Sequence, residues 1–129
     1  MRRTNRAGVA MALAAVALAA PILGCGGQTP ADPDQARATL TTAMDAWREG
    51  KGMDDLGNGS PPITVSDPSW KAGYKLTRYQ IAESTRAAGF DLKIPVELWL
   101  EDPKGKTSQE KVRYTVSVEP SHTVLRSPL

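Results

Sequence analysis

Thiol and imidazole groups are nearly missing from this sequence: 129 residues hold one cysteine, Cys25, and one histidine, His122. Without a second cysteine no intrachain disulfide forms. A zinc site wants several Cys or His ligands, and none can be assembled. A histidine-based catalytic set needs a nucleophile and an orienting acid. His122 instead follows Pro120-Ser121 at the start of a strand-like stretch, where it reads as an exposed turn residue. Asp54 and Asp55 adjoin a Gly-rich loop but lack the regular spacing of a calcium-binding loop, so they read as a solvated turn. Asn58-Gly59-Ser60 fits the N-glycosylation pattern, and with Pro61 behind it reads as a loop. No Gly-rich phosphate cradle and no nucleophile elbow occurs, so no cofactor and no metal are expected.

What is present begins at the N-terminus. Met1-Arg2-Arg3-Thr4-Asn5-Arg6 carries three positive charges and no acid, and an Ala-rich apolar stretch runs from Ala7 to Leu23. A basic region, a short apolar region and small residues at their end read as a secretory signal. The 18 residues Ala7 to Gly24 are rich in alanine, with Pro21 near the end. That is short for an uncleaved anchor, since a bilayer takes roughly 20 apolar residues. The closing Ile22-Leu23-Gly24-Cys25 resembles the lipobox of bacterial lipoproteins: an aliphatic residue, a tolerant position, a small residue, then the cysteine that takes the lipid. The resemblance implies cleavage before Cys25, acylation of Cys25 and attachment to the cell envelope. Gly26 stands where inner-membrane retention uses an aspartate, so outer-membrane placement is expected.

Loss of residues 1–24 as signal peptide changes the charge. Arg2, Arg3 and Arg6 leave, and 16 basic residues become 13 against 14 acidic. The basic footprint of a nucleic-acid binder is therefore missing, and no polybasic run exists for an anionic membrane. Residues 25–31 have no apolar period and read as a lipid-anchored flexible tether. Residues 32–129 are the length of one α+β domain.

Asp32 can cap a helix, Pro33 fits its first turn, and Gln35 completes a capping-box-like pair. Ala36, Leu40, Ala43, Met44 and Trp47 recur at helical spacing, and Gly50 stops the run. The spacing predicts a helix from about Pro33 to Glu49, with one further turn at Met53-Asp54-Asp55-Leu56. Ile63-Thr64-Val65 is a short extended segment, and Asp67-Pro68-Ser69-Trp70 has turn chemistry. Tyr74 to Ser84 is strand-like with a bulge, because Leu76 and Tyr79 fall on opposite parities. From Phe90 to Glu101 alternation is clean: Phe90, Leu92, Ile94, Val96, Leu98 and Leu100 face one way. Asp102 to Lys106 connects a hairpin, Val112 to Val118 alternates again, and Thr123 to Arg126 forms a last short strand. Pro95 has no backbone N–H, which predicts a sheet edge for its strand, or pairing through a bulge.

Packing follows from one amphipathic helix and three to four one-faced antiparallel strands. The helix lays Leu40, Met44 and Trp47 across the apolar face of a curled sheet. The organisation of Ala36 to Trp47, the Asp67–Trp70 turn and Phe90 to Val118 resembles cystatin-like and nuclear-transport-factor-2-like domains. It is also similar to small bacterial lipoproteins that pair a lipobox with such a domain. The likeness is one of organisation and carries no site residue with it.

The tryptophans supply the candidate contacts. Trp47 lies on the apolar stripe and reads as core. Trp70 sits in a turn, either as a plug on the core or as part of a binding surface. Trp99 falls on the polar parity of its strand between Glu97 and Glu101, where a large aromatic anchors a partner or packs on neighbouring stems. Two functions remain. The first is a non-catalytic binding or assembly domain that meets an envelope partner at a sheet face or edge through Trp99, Glu97 and Trp70. The second is a small enzyme or ligand cup with a pocket between helix and sheet. The wholly apolar inward parity of Phe90 to Leu100 favours the first.

Overall fold

The computed structural model describes residues 32–83, 86–88 and 91–127. The predicted leader and tether, Cys25 and Phe90 lie outside these residues. Helix α1 runs Pro33–Arg48, α2 Met53–Gly57 and α3 Pro68–Lys71. Strands follow as β1 Ile63–Ser66, β2 Lys75–Ile81, β3 Arg86–Ala88, β4 Asp91–Glu101, β5 Thr107–Ser117 and β6 His122–Ser127.

α1 starts and stops where its local chemistry dictates. Asp32 accepts the Asp34 N–H at 2.9 Å, which satisfies one orphan donor of the first turn. At the other end Gly50 adopts φ +87, and its N–H reaches the Trp47 carbonyl while Lys51 N–H reaches Ala46. This is the Schellman arrangement, and a side chain at position 50 would strain it. Ala36, Leu40, Ala43, Met44 and Trp47 are buried. The predicted stripe is the packed one.

The chain is α+β, with a curled, mixed, half-barrel sheet. Strand order is β1-β6-β5-β4-β2, and β3 also pairs with β4, beyond the end of β2. β4 and β5 form a long antiparallel ladder from Leu92↔Val116 to Glu101↔Thr107. Asp102 turns the hairpin between them by accepting the N–H groups of Lys104 and Lys106. Leu92, Ile94, Val96, Leu98 and Leu100 point to the core with Val112, Tyr114 and Val116, against Leu40, Met44 and Trp47 of α1. The bulge read from Leu76 and Tyr79 lies between Leu76 and Arg78.

Two expectations are corrected. The sheet is not a three- to four-stranded antiparallel one, because β1 adds in parallel to β6, Ile63 opposite His122. Four residues of β1 alternate too briefly to announce a partner, and a parallel partner is distant in sequence. Nor is β4 an edge strand: β5 pairs along one side of it, β2 and β3 along the other.

Pro95 is accommodated by an irregularity instead. The Ala82 N–H bonds to the Pro95 carbonyl at 2.9 Å, so both main-chain groups of Pro95 face β2. The return bond has no donor, and between Ile81 and Arg86 the strand opposite is interrupted. The Arg37 guanidinium of α1 fills the gap, donating to the Ala82 carbonyl at 2.7 Å and to Glu83 at 3.3 Å. A cation on the helix thus replaces the N–H that proline lacks.

Candidate functional site

The outer face of the sheet is assembled by register. Leu76 and Leu100 point inward, and the bulge after Leu76 brings Arg78 opposite Trp99 on the other face. On β5, Gln109 is opposite Trp99, Lys111 opposite Glu97 and Arg113 opposite Pro95. Trp99 is half-buried among these neighbours, and the Arg78 guanidinium stands over its indole, 4.3 Å from the ring centroid. Such a pairing keeps the indole upright while the cation stays hydrated. The Thr77 hydroxyl donates to the Trp99 carbonyl at 3.0 Å and ties the bulge to β4. Glu97 accepts a hydrogen bond from the Gln109 amide. Trp99 and Glu97 therefore share one open face, as their parity predicts.

Trp70 does not join them. It is 7 % exposed and stacks on Trp47, with centroids 5.1 Å apart and planes 2° from parallel. Its indole N–H donates to the Lys51 carbonyl at 3.0 Å, and Trp47 donates to Tyr74 at 2.8 Å. This geometry makes it a core residue with no surface to offer a partner.

Beside it lies a buried polar cluster that sequence reasoning saw only in part. Asp67 caps α3, accepting the N–H groups of Ser69 at 2.8 Å and Trp70 at 3.3 Å. The Tyr114 hydroxyl donates to the same carboxylate, and Arg126 reaches it at 3.0 Å. Arg126 also bonds Ser69 at 2.7 Å and Glu110 at 2.5 Å. Burial and the adjoining carboxylate hold the Tyr114 phenol far above its usual range. The available signal was the inward parity of Tyr114, since a buried tyrosine needs an acceptor. The group fastens α3 to β5 and β6.

On the opposite side a groove of about 1130 Å³ opens between α1, the loop after α2 and the start of β6. Thr39, Asp45, Glu49, Asp55, Glu119 and His122 contribute to its walls. His122 has its Nδ1 3.0 Å from the buried Thr39 hydroxyl and is half-buried rather than an exposed turn residue. Asp45 accepts from the Tyr79 hydroxyl at 2.7 Å. Burial, and then that bond, push the Tyr79 phenol up to about 12. Among the described residues no three His, Cys, Asp or Glu side chains gather in a way that would hold a metal ion.

No protein-family model matches this chain, and no curated protein or solved structure is significantly similar to it. No helix among the described residues is long and apolar enough to cross a membrane.

Proposed function

We propose that this chain is an exported bacterial lipoprotein, held in the cell envelope by acyl chains on Cys25, whose α+β domain is a non-catalytic binding or assembly module. One acyl chain gives marginal membrane binding and two or more give stable anchoring, so acylation of Cys25 means permanent residence, by this reading in the outer membrane. The contact surface is the outer sheet face around Trp99 and Glu97. The observation that carries it is Trp99 itself: a large aromatic held up on the open face of an internal strand by Arg78, with no element packed over it among the described residues. Aromatic and Arg side chains are the groups that most often anchor an interface. The cystatin-like organisation belongs to this reading and is supported by one long helix laid on a curled sheet. Partner contact at a sheet edge moves from β4 to β2, the terminal strand.

Two measurements test it. Mass spectrometry of the protein from native membranes should show Cys25 acylated and first in the chain, and Cys25→Ser should leave the membrane fraction. Retention of Met1 or Arg2 in the mature protein refutes the anchor. A photo-crosslinking residue at position 99 in native envelopes should form adducts, and their absence refutes the surface. The groove at Thr39 and His122 is what favours the second reading, a ligand cup. His122→Ala that changes binding of a small molecule while adducts at 99 are missing would establish it.

A further inference from the structure

The sequence has no polybasic run, yet the fold makes a basic surface. Lys75 and Arg78 from β2, Lys93 from β4, and Lys111 and Arg113 from β5 share the outer face with Trp99. Asp91, Glu97 and Glu101 are the carboxylates on that face from these strands, so cations are in excess. Among the described residues none of the five cations lies in an ion pair; the pairs present involve Arg48, Lys51 and Arg126. Pro95 and Trp99 supply apolar surface between them, and Leu125, 39 % exposed, adds a separate apolar side chain on β6 beyond Thr115. The groove on the far side is bordered by Asp45, Glu49, Asp55 and Glu119 with Lys51. The domain is therefore polarised: cationic and aromatic on the sheet, acidic beside the helix.

From this we infer that the occupant of the outer face is the anionic phospholipid surface of the membrane that carries the anchor. The inference rests on the lipid anchor at Cys25 proposed above. Six residues separate Cys25 from Asp32, and the seven steps between them span at most about 25 Å of extended chain. One turn into α1, Arg37 touches Ala82 opposite Pro95, at the interruption between β2 and β3. That reach holds the domain beside the membrane and raises the effective concentration of lipid around it. A few unpaired cations then suffice, because docking is intramolecular. Each Lys or Arg near an anionic surface favours the docked state about fivefold. Indole and long basic stems are the side chains that settle at a water–lipid boundary.

The experiment uses the full lipidated chain in two sets of vesicles, pure phosphatidylcholine and phosphatidylcholine with phosphatidylglycerol. Flotation reports the anchor, and lysine acetylation read by mass spectrometry reports the face. Lys75, Lys93 and Lys111 should be acetylated several-fold more slowly in the anionic vesicles, while Lys51 and Lys104 react equally in both. The protection should vanish in high salt, as expected for screened charge. Arg113→Gln should lower the docking equilibrium constant about fivefold with an unchanged melting curve. A chain that floats in both sets but shows equal acetylation overturns the docking and leaves the anchor standing. Failure to float with phosphatidylcholine overturns the anchor, and the docking with it. Protection found only in native membranes, and missing in lipid alone, assigns the face to an acidic protein and also overturns the proposal.

Discussion

Replacing Asp67 by alanine should be among the most damaging single changes in this domain. Its carboxylate is fully buried and serves four donors: two N–H groups of α3, the Tyr114 hydroxyl and Arg126. Loss of an N-cap costs about 1 kcal/mol. Removing one partner of a buried ion pair costs roughly 3–5 kcal/mol, because the other charge is left uncompensated. Arg126 keeps Glu110 and Ser69, which places this contribution at the lower end. The sum is about 4 kcal/mol, against roughly 5–15 kcal/mol for a whole domain. At roughly 4–8 °C per kcal/mol for a domain this size, melting should fall by about 20 °C. Asp67→Asn keeps an acceptor for the cap and should lose about half as much. In the double variant Asp67→Ala/Arg126→Met the buried guanidinium is gone and only the more exposed Glu110 loses its partner, so it should be more stable than Asp67→Ala alone. Urea titration and near-ultraviolet circular dichroism of the full chain read all three. A melting point for Asp67→Ala within a few degrees of the parent would refute the reasoning, as would strict additivity in the double variant.

Other expectations follow from the same packing. Trp47→Ala removes a side chain 3 % exposed and unstacks Trp70, costing roughly 3–5 kcal/mol by urea titration. Arg37→Met strands the Ala82 carbonyl and should cost about 1–3 kcal/mol. Adding Pro95→Val to it restores a donor, so amide exchange near Ala82 should slow again. Tyr79 has its folded pKa raised from 10.0 to about 12. The neutral phenol is the favoured form, so its contribution is complete below pH 10 and is lost as pH rises toward 12. Denaturation measured across that window should show a smaller loss in Tyr79→Phe than in the parent, the buried Tyr114 contributing equally to both.

Legibility in the sequence tracked the range of the interaction. α1 carries its own start, stripe and stop within 20 residues, and β4 its own alternation, so both were readable from Asp32 to Gly50 and from Leu92 to Leu100. The bulge at Thr77 was readable because a slipped parity leaves Leu76 and Tyr79 out of step. The outer position of Trp99 followed from the same alternation. What failed was non-local. Nothing near Ile63 states that it lies beside His122, and nothing near Pro95 states that a guanidinium from α1 replaces its missing donor. The edge placement of β4 assumed that only water can serve such a gap. Trp70 was ambiguous because a single helical turn has no period, and its stacking partner lies 23 residues away in the sequence.

The pairing of β1 with β6 has a consequence for the order in which the chain folds. Among the described residues, the first strand of the domain to be made finds its only sheet neighbour in β6. Asp67 likewise receives Arg126 only from that last strand. A nascent or half-threaded chain that ends before Ser121 has neither, so the sheet stays open and α3 stays unfastened. Long-range closure of this kind is slow compared with helix formation. Under the export proposed above, that order of events means that the domain locks only after β6 has left the translocation channel, on the side where its surface is used.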